Sequence, residues 1–343
     1  MKNTMKYLLS GAAALSLLSG CQHKELCYDH AHTTFVDVVF DWNYAPDAEA
    51  NDEVENMCLW FYPVDDAGNK TGDPIYRKLS GMKGGRIDIP TGRYLVLYYN
   101  SDYEAVQFAG TDWFYSHVCY TREGDLFESV HGNAASYGAP RAEGTEDEPV
   151  VITPDKMWGD NAMNVEITDS GLSYWFVRDG ETEVTTVSNA ENRFTLMPHE
   201  QTCDYTFEIR NVENLKYVTQ VSASLSGMSR AEFCAEERLS EVPATLSLGA
   251  VSDGVSTITG AFQTFGHHRN NREPHVLTVY VWLEDGSKWY YTNDVTEQIE
   301  NAADRRNVHI VIDGLSLPKP IENGSGMHPD VDDWQDVEVD LEM

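Results

Sequence analysis

A cysteine placed directly after an apolar run offers one specific reaction, acylation of its thiol. Lys2 and Lys6 open the chain, Tyr7 to Leu18 is apolar, and Leu18-Ser19-Gly20-Cys21 brings small residues up to the sulfur. That order is a secretory signal over residues 1–20, closed by a lipobox. Ser19 and Gly20 suit a peptidase pocket that rejects bulk, and Cys21 is then the attachment point for diacylglycerol. The mature chain is expected to begin at Cys21, held to a membrane by acyl chains. This covalent lipid is the one non-protein group expected, with no metal and no other cofactor.

Other reactive groups carry weaker patterns. His267-His268 with His275 is the densest histidine group, but adjacent residues of a strand face opposite ways and HExxH is absent. Beside Arg269 and Arg272 the group reads as an exposed loop. Asp330, Asp332, Asp333 and Asp336 offer oxygens to Ca²⁺, without the glycine and closing glutamate of an EF-hand loop, and read as a solvated acidic tail. Among 56 acids no pair stands out for glycosidase chemistry. Neither Gly-x-Ser-x-Gly nor GxxxxGK[ST] occurs, so the chain is expected not to be an enzyme. Aromatic rings that stack on sugars are the stronger competitor. Trp60 and Trp282 lie inside apolar strands and are expected in a core. Trp113-Phe114-Tyr115, following Gly110-Thr111-Asp112, is the candidate projecting patch and so the candidate binding site.

Charge narrows the partners. Removing residues 1–20 takes away two lysines and no acid, leaving 22 basic and 56 acidic side chains, a net charge of −34. Nucleic-acid binding and a polybasic grip on anionic lipid are both excluded by that balance. No second apolar run approaches the ~20 residues that span a bilayer. Cys27, Cys58, Cys119, Cys203 and Cys234 show no CxxC pair, and most read as small buried apolar residues.

The positioning elements are strands. After a tether over 21–34, Phe35 to Trp42 alternates Val36, Val38, Phe40 and Trp42 against Asp37 and Asp41. Met57–Tyr62 is a second strand. Arg86–Ile89 and Arg93–Asn100 flank the turn Pro90-Thr91-Gly92, where Gly92 is free to take a positive φ. Residues 131–149 are Gly-, Ala- and acid-rich and mark the expected boundary between a unit at 35–149 and one at 150–343. Strands are expected at Asn164–Thr168, Arg193–Met197, Cys203–Arg210, Tyr217–Leu225, Thr245–Leu248, Ser256–Phe262 and Val308–Ile312. A hairpin turns at Glu284-Asp285-Gly286-Ser287, and a short helix fits Val295–Ala303. The end, Trp334–Met343, alternates again and reads as a terminal strand, with Trp334 out of phase with Val337, Val339, Leu341 and Met343. Many short strands with almost no helix give an all-β fold built of β-sandwiches.

Cys21-Gln22-His23-Lys24-Glu25-Leu26-Cys27, Ile89-Pro90-Thr91-Gly92-Arg93-Tyr94, Pro154-Asp155-Lys156-Met157-Trp158-Gly159 and Asn307–Ile312 follow one another in an order that resembles the Bacteroidetes fimbrillin and fimbrial-anchor lipoproteins, the Mfa/FimB-like group. The third unit is similar to the segment that opens their second domain, and the second to their LPxGxY hairpins. The resemblance implies two transthyretin-like β-sandwich domains in tandem and a place in a surface fimbria at the outer membrane. Members assemble with fimbrillin-type subunits by donating a strand to a neighbour's open edge. Stalk subunits lose their first strand to a protease that cuts after a basic residue, and an anchor keeps it. From Glu25 to Asn69 this chain has no Lys and no Arg, which points to a retained first strand. The alternative is a surface lipoprotein that binds glycans through exposed aromatics.

Overall fold

The computed structural model describes residues 32–51, 53–128, 139–169, 171–178, 181–188, 193–320 and 334–336. The signal segment, Cys21, Cys27, nearly all of the tether, residues 131–138 and Asp330, Asp332 and Asp333 lie outside the described residues. No described helix is long and apolar enough to cross a membrane.

Strands dominate the described residues. The first half gives β1 (Thr33–Phe40), β2 (Asn56–Val64), β3 (Ile75–Ser80), β4 (Gly84–Pro90), β5 (Gly92–Asn100), β6 (Val106–Ala109), β7 (Val118–Thr121), β8 (Val150–Ile152) and β9 (Trp158–Thr168). Then come β10 (Gly171–Arg178), β11 (Glu181–Ser188), β12 (Arg193–Leu196), β13 (His199–Glu200), β14 (Cys203–Glu213), β15 (Val218–Ser229), β16 (Ala231–Phe233) and β17 (Arg238–Leu239). The last are β18 (Pro243–Gly249), β19 (Val251–Ser252), β20 (Ile258–Thr264), β21 (Val276–Leu283), β22 (Lys288–Asp294), β23 (Asn307–Ser316) and β24 (Trp334–Asp336). Short helices sit at Pro46–Asn51 and Thr296–Glu300, the second within the expected segment.

A small sheet ordered β12-β1-β4 faces a larger one ordered β11-β10-β9-β5-β2-β3, with β13 on β9. Between them lie Val36, Val38, Phe40, Leu59, Phe61, Ile87, Val96, Tyr98, Val165 and Phe194. The alternation of β1 produces its part directly: Val36, Val38 and Phe40 are inside and Phe35 is exposed. At about 1.5–3 kcal/mol per large apolar side chain buried, those three alone stabilise the packing substantially. Trp42 is buried beyond the strand's end, its indole N–H donating to the Met82 carbonyl at 2.8 Å. The reverse face of the large sheet carries Cys58, Tyr62, Leu95, Leu97 and Tyr99 against a four-stranded sheet ordered β17-β16-β7-β6. That is why β2 reads as a continuous apolar run: both of its faces are covered. A second main core fills the space between β19-β20-β14-β23 and β24-β22-β21-β15-β18-β8.

Two readings change. Pro90-Thr91-Gly92 does not close a hairpin: β4 pairs with β1 and β5 with β2 and β9, so the chain crosses from one sheet to the other at this corner. The turn residues are the same in both cases, because each needs a sharp reversal of direction. Tyr94 fixes the corner by donating to the Pro90 carbonyl at 2.8 Å, and Gly92 turns there without a positive φ. Residue 150 also is not where the sheets divide. β8 joins the second core's sheet through β18, whereas β9 to β13 return to the first.

Candidate functional site

β1 sits in the middle of its sheet, antiparallel to β4 over Thr33–Val39 and parallel to β12 over Asp37–Phe40. Arg86 on β4 reaches across with two bonds to Asp37, of 2.8 and 3.1 Å, and holds its carboxyl below the usual range. The first strand is thus built into the fold on both edges.

At the opposite end, Trp334–Asp336 forms β24, parallel to β22, so Trp334 is part of the strand. Its phase is set by packing: the indole lies 5.4 Å from Phe127, 5.4 Å from Tyr280 and 5.2 Å from Trp282, on the outer face of the second sandwich. β23 is ten residues long and pairs with β14 on one side. On its other side the Gln298 side chain, from the helix Thr296–Glu300, takes the place of a strand. Its amide donates to the Val311 carbonyl at 3.0 Å and accepts from the Val311 N–H at 2.8 Å.

The proposed aromatic patch separates. Phe114 is fully buried, packed edge-on to Tyr62 at 5.8 Å, and does not project. Trp113 is half-buried against the same tyrosine, and Tyr115 alone is exposed. The short 3-10 turn Phe114–Ser116 puts neighbouring rings on different faces, which the sequence order conceals. Trp282 is in a core as expected, and Trp60 is half-buried against Tyr76. Cys58, Cys119, Cys203 and Cys234 are free and buried, and burial pushes the Cys203 thiol up to about 11. His267 and His275 do not form an exposed loop. Both are buried with their rings 5.1 Å apart, and burial, aided by His275, pulls His267 down to about 4.

A cleft of about 900 Å³ opens where the two halves meet, lined by Glu232, Glu236 and Glu237 on one side and by His267, Arg305 and Arg306 on another. Glu232 is 5% exposed, and its Oε2 has no hydrogen-bond partner. Burial, with the charge of Glu237 adding to it, pushes its carboxyl up to about 8. Glu237, on the lining of the cleft, groups with Asp160 and His199. The pairing of β13 with β9, His199 opposite Gly159, sets His199 beside Asp160, and the turn from β16 to β17 brings Glu237 across. His199 Nε2 is 3.1 Å from Glu237 Oε1, and Nδ1 is 3.7 Å from Asp160 Oδ2. Burial opposes the Glu237 charge, but bonding to His199 outweighs it and holds the carboxyl below its ordinary value. Nothing in the sequence announces this group, since its members stand far apart in the chain and share no motif.

Residues 20–249 match the family described as "Domain of unknown function (DUF5119)". Among curated proteins, "Putative fimbrium anchoring subunit Fim4B" of Bacteroides ovatus is 27% identical over 170 residues, 50% of this chain and 44% of the relative. The chain therefore matches less than half the length of that relative. Among solved structures, a "putative adhesin" from Bacteroides ovatus is similar with a TM-score of 0.57 at 21% identity, covering 89% of this chain and 99% of that one. That likeness is one of fold. The fimbrial anchor protein Mfa2 from Porphyromonas gingivalis reaches a TM-score of 0.41 at 10% identity over 82% of this chain and 91% of its own. The resemblance read from the motifs, to the fimbrillin and fimbrial-anchor group, agrees with the name of the curated relative.

Proposed function

The chain belongs to the DUF5119 family, and from that premise we propose that it is a lipid-anchored, non-catalytic accessory subunit of a bacterial surface fimbria that keeps its first strand. The observation that carries this reading is the seating of β1. It is paired on both edges, its inward face is buried, and no Lys or Arg stands between Glu25 and Asn69 for a protease to use. A subunit that never releases its first strand presents no vacated groove there, and so ends a polymer instead of extending it. The relative named as a fimbrium anchoring subunit supports the same role. Cys21 supplies the lipid, the outer membrane is the site of attachment, and fimbrillin-type subunits are the partners, joined by strand complementation.

A pull-down from crosslinked native cells, run without boiling, tests the assembly. A ladder containing this protein with a stalk subunit is expected. A lone monomer band from cells that express fimbrillins removes the role, leaving glycan binding through Trp113 and Tyr115 as the next reading to assay. Mass spectrometry of the mature protein tests the anchor separately: an acylated peptide starting at Cys21 is expected, and a form starting beyond residue 56 refutes the retained strand.

A further inference from the structure

Asp160, His199 and Glu237 come from β9, β13 and the turn after β16, and one ligand atom from each lies within 4.8 Å of the others. Their side chains are 9%, 26% and 36% exposed, so the group is walled from behind and open in front. A single hydrogen-bonded histidine between two carboxylates would account for those three residues alone. It does not account for Glu232. That side chain lines the same cleft as Glu237, is buried, and has a carboxylate oxygen that no hydrogen bond satisfies. A buried carboxyl oxygen without a partner is costly, and a second carboxylate nearby disfavours its ionisation. Arg306, which lines the cleft, spends a guanidinium N–H on the Glu200 carbonyl.

We propose that Asp160, His199 and Glu237 bind one divalent transition-metal cation, with zinc the best match, and that Glu232 faces it from the buried side of the cleft. One imidazole with carboxylate oxygens is a borderline donor set, whereas Ca²⁺ and Mg²⁺ take shells of oxygen. Zinc bonds of about 2.0–2.2 Å in a tetrahedral site put neighbouring donors roughly 3.3 Å apart. The 3.1 Å between His199 Nε2 and Glu237 Oε1 already fits, whereas Asp160 Oδ2 stands 3.7 Å from the other ring nitrogen and has to turn towards Nε2, within the 4.8 Å that spans the three ligand atoms. Gln201 touches His199 Nε2 through its amide nitrogen at 2.9 Å, so an ion on that nitrogen displaces the amide. The ion would join the large sheet of the first core to the β16–β17 turn and fix one wall of the cleft.

The test is calorimetric titration of the metal-stripped full chain with ZnCl₂, with Co²⁺ absorption as a second readout. One equivalent is expected to bind, Glu237→Gln and His199→Ala each weakening it at least tenfold. His268→Ala, which alters a half-exposed histidine elsewhere on the cleft, is expected to leave binding unchanged. The Co²⁺ bands of a nitrogen-containing site are expected to vanish with His199. Glu237→Gln, at the more exposed position, carries the test if His199→Ala does not fold. No saturable binding below about millimolar zinc, equal binding by the wild type and Glu237→Gln, or Ca²⁺ binding as tightly as Zn²⁺ would overturn the proposal. None of these outcomes bears on the fimbrial role, which rests on β1.

Discussion

Two phenylalanines on β1 give a direct measure of how firmly the first strand is held. Phe40 is 5% exposed, with its ring 6.2 Å from Tyr98 inside the first core, whereas Phe35 is 63% exposed under the Arg86 guanidinium at 5.9 Å. Phe40→Ala deletes a buried ring and leaves a cavity between two sheets, at a cost of about 3–5 kcal/mol. Phe35→Ala removes an exposed ring and a weak cation–π contact, at about 0.5–1 kcal/mol. In a cooperative unit of this size a kcal/mol moves the melting temperature by about 2–4 °C. Phe40→Ala should therefore lower the first transition by about 6–20 °C and Phe35→Ala by no more than about 4 °C. Differential scanning calorimetry gives the shifts, and amide exchange in β4 shows whether the affected unit contains β1. Equal shifts, or a Phe40→Ala shift as small as that of Phe35→Ala, would mean that β1 is not part of the cooperative core and would refute the retained-strand argument.

Gln298→Ala uncovers the Val311 N–H and C=O on the edge of β23. Stability should change by only about 1 kcal/mol, while sedimentation should show concentration-dependent self-association absent from the wild type. Trp334→Ala removes the ring that seats β24 on Phe127, Tyr280 and Trp282, so limited proteolysis should trim the C-terminal segment faster. His117 is buried with its ring nitrogens bonded to Tyr62 and Tyr99, and burial lowers its pKa to about 4. The neutral form is favoured by folding, so this contribution is complete above the unfolded value near 6.5 and is lost as pH falls towards 4, about 3 kcal/mol in all. In urea titrations across that window His117→Asn should show a flatter pH dependence, and an unchanged slope would contradict the assignment.

The strands that alternate cleanly were legible because one of their faces meets water. β1 buries Val36, Val38 and Phe40, and β23 buries Val308, Ile310 and Ile312, with more exposed residues between them. β3 was not, since Ile75-Tyr76-Arg77-Lys78-Leu79-Ser80 lies at a sheet edge where only Leu79 is buried. Nor were β6 and β7, whose four residues each are too short for a period to appear. The corner at Pro90 was read with the right residues and the wrong partners, because turn chemistry is local and sheet membership is set by strands far along the chain. The same limit hid Asp160, His199 and Glu237, which only the pairing of β13 with β9 and the turn after β16 bring together. Phe114 was misplaced for the opposite reason: its neighbours look exposed, and a single 3-10 turn reverses its direction.

The placement of β1 also decides how the molecule bears tension. A pull entering at the N-terminal end runs along the strand's own axis, and ladders on both flanks, from Thr33 to Val39 on β4 and from Asp37 to Phe40 on β12, resist it as a block. They must slide together, since none lies at a free end where it could be peeled one bond at a time. Rupture is then governed by a barrier to shearing, and the survival time under load becomes an unfolding rate, not an equilibrium stability. A fold whose first strand is clasped from both sides is a mechanical clamp at the point where a tether would meet it.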